Sequence, residues 1–335
     1  MTAATLPWPA VRFSPRRLGH VNLYVGDLDR AFAFYHDVCG LELVFDEPGI
    51  YARFLSNGNS HHDLAIMQAT GRELRGRDGH VQVTKERGAA PGLNHLAFEM
   101  DTEAHLVQAI RRGEEAGLVV HGYSDHQISR SVYLPAPDGV VLEIYVDRDR
   151  DWRSIYEGLQ GELLTERWEP GREEPSDVPQ YVEVLDHRPA EGALARPLRT
   201  ARAGVVTADL PATIAFYEAV VGLRTIEADL GEGRWAVLGG ALGLPDLLVL
   251  ERLGDEPVGF HHFGLELADL DELAATEARL HAAGQPVERT VAHAGKRGLV
   301  VRDPDGVAVE LFATVPGAAV RFADVCRPDT RDFLA

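Results

Sequence analysis

The chain of 335 residues repeats itself, and that repeat limits its possible folds more than any other feature. Asp27-Leu28-Asp29-Arg30-Ala31-Phe32-Ala33-Phe34-Tyr35, followed by Gly40-Leu41, returns 182 positions later as Asp209-Leu210-Pro211-Ala212-Thr213-Ile214-Ala215-Phe216-Tyr217, followed by Gly222-Leu223. Further on the spacing falls to 167: Gly92-Leu93-Asn94-His95 is answered by Gly259-Phe260-His261-His262, and Asp138-Gly139 by Asp305-Gly306. The second copy therefore lacks 15 residues, which the first carries around Gly71 to Gly88. A chain doubled in this way reads as two homologous domains.

Each copy divides again. His20-Val21-Asn22-Leu23 and His95-Leu96-Ala97-Phe98 are strand-like, and each precedes a helical pattern: Leu28, Ala31, Phe32 and Tyr35 in one, Leu106, Ala109, Ile110 and Gly113 in the other. Helix stops at Cys39-Gly40 and Ala116-Gly117 lead into short alternating runs. These runs are Leu41 to Phe45, Tyr51 to Leu55 and Leu64 to Gln68, then Val119 to Gly122, Val132 to Leu134 and Val140 to Val146. The unit is strand, helix, three strands, used four times. This predicts an α+β protein of two tandem domains, each of two paired βαβββ modules, over residues 1–147 and 199–335. Residues 148–198, rich in proline and charge beyond a helical start at Trp152 to Trp168, read as a connecting arm, and Gly317 to Ala335 as an irregular tail.

A net charge of −19 argues against nucleic-acid partners and against an anionic membrane surface. No apolar run approaches the roughly 20 residues that cross a bilayer, and Pro7, Pro9 and Pro15 interrupt any secretory-type leader. With Cys39 and Cys326 as its two cysteines, both expected to be reduced, a cytoplasmic protein is anticipated.

The alternation also places chemistry. Val21, Leu23 and Val25 share one face of the first strand, leaving His20 on the other; Leu96, Phe98 and Met100 oppose His95; Leu142, Ile144 and Val146 oppose Glu143. If paired modules bring their first strands together, His20 and His95 meet and Glu143 completes a two-histidine, one-carboxylate set. That set suits non-haem Fe(II) with three open positions, and catalytic Zn²⁺ also uses it.

The chain resembles the vicinal oxygen chelate superfamily, which includes glyoxalases and antibiotic-binding proteins, and more narrowly the type I extradiol ring-cleavage dioxygenases of the catechol 2,3-dioxygenase kind. The broad markers are Asp27 to Tyr35 and Pro137-Asp138-Gly139; the narrow ones surround the site. His62-Asp63-Leu64-Ala65-Ile66 is similar to the strand that carries the family's acid–base histidine. His126 matches a supporting histidine, and Tyr133, ten residues before Glu143, matches an active-site tyrosine. The resemblance implies half-open barrels, His20, His95 and Glu143 as metal ligands, and His62, His126 and Tyr133 as catalytic residues. It further implies Fe(II), with Mn(II) as a variant, O₂ as co-substrate, a small aromatic diol as substrate, and a homo-oligomer. The product would be of the muconic semialdehyde type.

The second copy departs from the pattern. Arg202 stands at the first ligand position, Pro245 at His62 and Val300 at Tyr133, although His262, His293 and Glu310 remain. An arginine repels a divalent cation, so the C-terminal half is expected to be a structural partner. The competing functions are a glyoxalase- or epimerase-like metal lyase, which typically presents an additional acidic or amide ligand, and a non-catalytic protein that sequesters an aromatic drug.

Overall fold

Four β-strands, one from each quarter of the chain, form the centres of two sheets. The computed structural model describes residues 8–181, 187–318 and 331–334. The first quarter comprises β1 (Arg17–Val25), α1 (Leu28–Ala33), β2 (Glu42–Glu47), β3 (Ala52–Ser56) and β4 (Leu64–Gln68). A hairpin of β5 (Leu74–Arg75) and β6 (Val81–Val83) follows. The second quarter comprises β7 (Gly92–Glu99), α2 (Glu103–Glu115), β8 (Gly122–Asp125), β9 (Ser129–Pro135) and β10 (Val141–Asp147). Then come α3 (Trp152–Gly158) and β11 (Glu166–Arg167). The third quarter is β12 (Pro197–Thr207), α4 (Leu210–Phe216), β13 (Arg224–Asp229), β14 (Trp235–Gly239) and β15 (Leu247–Glu251). The fourth is β16 (Gly259–Leu267), α5 (Leu270–Ala282), β17 (Arg289–His293), β18 (Lys296–Arg302) and β19 (Ala308–Thr314).

All four repeated helices begin alike. Asp27, Thr102, Asp209 and Asp269 each accept a hydrogen bond from the backbone N–H three residues on. Each such cap is worth about 1 kcal/mol. α1 and α4 continue into matching π-helical turns over Phe34–Val38 and Tyr217–Val221.

The sheets are two curled half-barrels in an α+β architecture. The first runs β11-β8-β9-β10-β7-β1-β4-β3-β2, with β1 and β7 antiparallel at its middle; the second runs β13-β14-β15-β12-β16-β19-β18-β17. β10 lies parallel to β7, and β4 parallel to β1, so each module presents its first strand to its partner. The alternation read from the sequence holds: Val21, Leu23, Leu96, Phe98, Leu142 and Ile144 join the main core under the helices. β8 starts at Gly122 rather than Val119, which is exposed; its register follows from pairing Gly122 with Tyr133 on β9.

Reciprocal polar contacts join the halves. Tyr35 donates to Asp303 Oδ2 and Tyr217 to Asp138 Oδ2, both at 2.8 Å. Likewise the Leu18 N–H donates to Asp246 Oδ1 at 3.1 Å, and the Thr200 N–H to Asp63 Oδ1 at 3.3 Å. Burial pushes the carboxyls of Asp138 and Asp246 up to about 6.

Two segments differ from a plain loop and arm. The residues the second copy lacks form the β5–β6 hairpin, and β11 from the arm pairs with β8 as an extra edge strand. Trp152, Tyr156 and Leu164 from the arm, with Leu74 and Val83 from the hairpin, form a second apolar cluster over the inner face of the first sheet. The helix expected through Trp168 ends at Gly158. Cys39 is buried; Cys326 and most of the expected irregular tail lie outside the described residues.

Candidate metal centre

The inner face of the first half-barrel gathers its polar groups along one row. In the ladder His20 of β1 is opposite Ala97 of β7, and Ala97 is opposite Glu143 of β10. Two strand spacings separate the backbones of His20 and Glu143, about 10 Å. Only a methyl group stands between them, so both side chains can lean over Ala97. His95, two residues away on the same face of β7, completes the ring.

The three donors converge. Nε2 of His20 is 3.0 Å from Glu143 Oε2, and Nε2 of His95 is 2.9 Å from the same oxygen. All three donor atoms lie within 4.8 Å of one another. Ligands about 2.1 Å from one cation and at right angles to each other sit about 3 Å apart, so the spacing fits a single ion. The charge states fit as well. Burial opposes ionisation of Glu143, yet His95 and His20 hold its carboxyl well below the usual range. Burial lowers His20 to about 4, against the pull of Glu143, which leaves its lone pair available. His95 Nδ1 lies 3.2 Å from Asn94 Oδ1, which also accepts from Arg87 at 2.8 Å; this keeps Nε2 turned towards Glu143.

All six residues singled out in the sequence line one cavity of about 540 Å³. Tyr133 donates to Glu143 Oε1 at 2.9 Å, and His126 Nε2 is 3.0 Å from the Tyr133 oxygen. Burial, then the Glu143 charge, raises the Tyr133 phenol well above its normal value. His62 packs against His20 with ring centroids 3.9 Å apart, and neither of its nitrogens has a hydrogen-bond partner among the described residues. Burial, followed by His20 and His61, keeps it well below the usual histidine value. Phe54, Met67, Ile128, Tyr156 and Trp168 supply apolar wall, and Glu143 is the sole carboxylate among the described lining residues.

Several contributors carried no local signal. His61 forms a second trio with His20 and His62, and its Nδ1 lies 2.7 Å from Asp147 Oδ1. Burial would lower His61, but Asp147 outweighs it and the pKa is raised. Asn94, Arg87, Gln82 and Thr165 also reach the cavity. Of these only Asn94 could have been suspected, as the neighbour of a candidate ligand.

The second half-barrel fills the corresponding space. Gly264 stands between Arg202 and Glu310 in the same row, and a Cβ there would meet Arg202 Cγ at 2.8 Å. The Arg202 guanidinium lies 3.7 Å above the Phe312 ring, and Lys296 Nζ is 2.9 Å from Glu310 Oε2. Phe333 packs on His262 with centroids 4.7 Å apart. Among the described residues, this half has no three-donor convergence.

A family model described as Glyoxalase/Bleomycin resistance protein/Dioxygenase superfamily matches residues 17–144 and 199–311. Catechol-2,3-dioxygenase of Bacillus subtilis (strain 168) is 30% identical over 142 residues, 42% of this chain and 45% of that protein. Mitochondrial methylmalonyl-CoA epimerase of Homo sapiens is 27% identical over 116 residues, 32% of this chain and 62% of that protein. The chain thus covers less than two thirds of either relative. The solved structure of homoprotocatechuate 2,3-dioxygenase from Arthrobacter globiformis superposes with a TM-score of 0.61 at 17% identity, covering 93% of this chain and 84% of that one. At that identity the likeness is one of fold. With both halves matched by one model and both sheets built from paired modules, the chain belongs to the Glyoxalase/Bleomycin resistance protein/Dioxygenase superfamily.

Proposed function

We propose that the protein is an extradiol ring-cleavage dioxygenase acting on a catechol or related vicinal diol, with O₂ as co-substrate. In this reading His20, His95 and Glu143 hold Fe(II), or Mn(II) in its place. The observation that carries the reading is the convergence of these three donors at the floor of a largely apolar cavity whose wall includes His62, His126 and Tyr133. Bound there, the metal would supply a Lewis acid that eases deprotonation of the diol, with open positions for diol and O₂.

The chain's own residues do the rest. His62, neutral and without a hydrogen-bond partner among the described residues, takes the diol proton on a ring nitrogen and returns it during ring opening. Tyr133 keeps its proton on Glu143 and fixes that carboxylate in place. His126, with Nε2 3.0 Å from the Tyr133 oxygen, supports that tyrosine beside the substrate and acts through it. The arm and hairpin exclude water. The second half serves as a buttress, with Lys296 and Arg202 occupying the space that a cation would need.

The epimerase relative favours a second reading, a metal-dependent lyase or epimerase on the same scaffold. The single carboxylate of the lining weighs against it, because such enzymes typically add a further ligand. The test is anaerobic reconstitution with Fe(II), then oxygen and a panel of catechols. A yellow ring-opened product with O₂ uptake supports the proposal. A metal-loaded protein that consumes no O₂ with any catechol, yet exchanges a proton next to a thioester carbonyl, overturns it in favour of the second reading. An aromatic ligand bound with no turnover of either kind overturns it in favour of a binding protein.

A further inference from the structure

The hairpin and the arm both reach His126, through contacts that form an unbroken line. Gln82 Nε2, on β6, is 2.9 Å from Thr165 Oγ1 in the arm. Thr165 Oγ1 is 3.0 Å from His126 Nδ1. From there the line continues through His126 Nε2 to the Tyr133 oxygen at 3.0 Å and on to Glu143 Oε1 at 2.9 Å. Thr165 is buried, and Gln82 partly so.

Counting protons assigns a direction. A carboxylate only accepts, so the one Tyr133 proton belongs to Glu143. The Tyr133 oxygen must then accept, which requires a proton on His126 Nε2. A neutral ring has no second proton, so Nδ1 accepts, and the Thr165 hydroxyl gives its proton there. The Thr165 oxygen in turn accepts from the Gln82 amide. The two alternatives each fail at one contact. Turning the Gln82 amide over would reverse Thr165 and put the proton on Nδ1, leaving two lone pairs facing each other between Nε2 and Tyr133. A doubly protonated ring would make the Thr165 oxygen accept twice and leave its own proton without an acceptor among these contacts.

We propose that Thr165 and Gln82 are positioning residues that hold His126 as its Nε2–H tautomer, so that closure of the hairpin and arm over the cavity sets the hydrogen bonding of Tyr133 and Glu143. The tautomer stands on these contacts alone; its consequence for turnover rests on the ring-cleavage reading. Outer partners of this kind change metal affinity or activity by about 10–100-fold when removed. Among the described residues the second half has no counterpart of the β5–β6 hairpin or of β11, and Val300 replaces Tyr133 there, so the line is not repeated among them.

The test uses the full-length chain with ¹⁵N-labelled histidine, assigned through His126→Asn. Long-range ¹H–¹⁵N spectra of the metal-free protein should show His126 protonated at Nε2 alone. Thr165→Val, which keeps shape but loses the hydroxyl, should give a mixture of tautomers; Thr165→Ser should restore the single form. Gln82→Leu, at a partly exposed site, should likewise give a mixture of tautomers without disturbing the fold and covers the case in which Thr165→Val fails to fold. In the Fe(II)-loaded enzyme with a catechol, Thr165→Val should lower kcat about 10-fold or more with KM within about twofold, and Thr165→Ser should recover it. An unchanged tautomer in both Thr165→Val and Gln82→Leu overturns the proposal. So does equal loss of kcat in Thr165→Val and Thr165→Ser, which would mark a packing role. A tautomer shift in a protein that cleaves no catechol sinks the ring-cleavage reading and leaves the hydrogen-bond assignment standing.

Discussion

Lys296 Nζ lies 2.9 Å from Glu310 Oε2, with both side chains almost wholly buried, so the second half-barrel holds an ammonium group where the first gathers the candidate ligands His20, His95 and Glu143. Burial lowers Lys296 to about 8 against the pull of Glu310. The pair and Arg202 together fill the space above Gly264. Removing one member strands the other charge, which typically costs about 3–5 kcal/mol. Lys296→Met should destabilise by that order in urea unfolding. The double change Lys296→Met with Glu310→Gln should cost less than the two single changes added, with a coupling of about 0.5–3 kcal/mol. Metal analysis of reconstituted protein should give one ion per chain and none in His20→Ala.

Ala97 sits in the row between His20 and Glu143, where a larger side chain would fill the space proposed for the ion. Ala97→Leu should abolish stoichiometric metal uptake, an affinity loss of about 100-fold or more. Overpacking should add about 1–3 kcal/mol of destabilisation. Ala97→Gly should keep the metal. Full metal content in Ala97→Leu would show that the ion does not lie over β7.

In the proposed reading His62 moves protons and is not one of the metal ligands. His62→Asn should leave metal content unchanged and lower kcat by about 10²–10⁴-fold, the usual range for a general acid–base group. Loss of metal in this variant would instead point to the trio of His20, His61 and His62 as the ligand set.

Glu47 accepts from the Leu164 N–H at 2.8 Å beneath the arm, and burial pushes its carboxyl up to about 7 from 4.5. A carboxyl raised on folding binds a proton more tightly in the folded state. Stability is therefore lost as pH rises from about 4.5 to about 7, and the full penalty persists above that. The shift corresponds to about 3 kcal/mol. Glu47→Gln should stabilise the protein by up to about that amount at pH 8 and change little at pH 4, measured by urea unfolding at both. A variant equally stable relative to wild type at the two pH values would disprove the raised pKa.

The quarter-repeat, the helix stops and the strand faces were all legible in the chain, because each is recorded in residues a few positions apart. Period-two alternation separates His20, His95 and Glu143 from Val21, Leu96 and Leu142 by local geometry alone. The short spacing from Tyr133 to Glu143 belongs to one hairpin, β9–β10, and was equally readable. Other features depended on which strands become neighbours. The open space over Ala97, the ammonium of Lys296 on Glu310, and the line from Gln82 through Thr165 to His126 join residues whose sequence context shows nothing unusual. Residues 148–198 read as a connector because proline and charge describe a segment's own propensity. Only the folded chain, by docking β11 on β8 and Leu164 beneath the site, turned part of that connector into cavity wall.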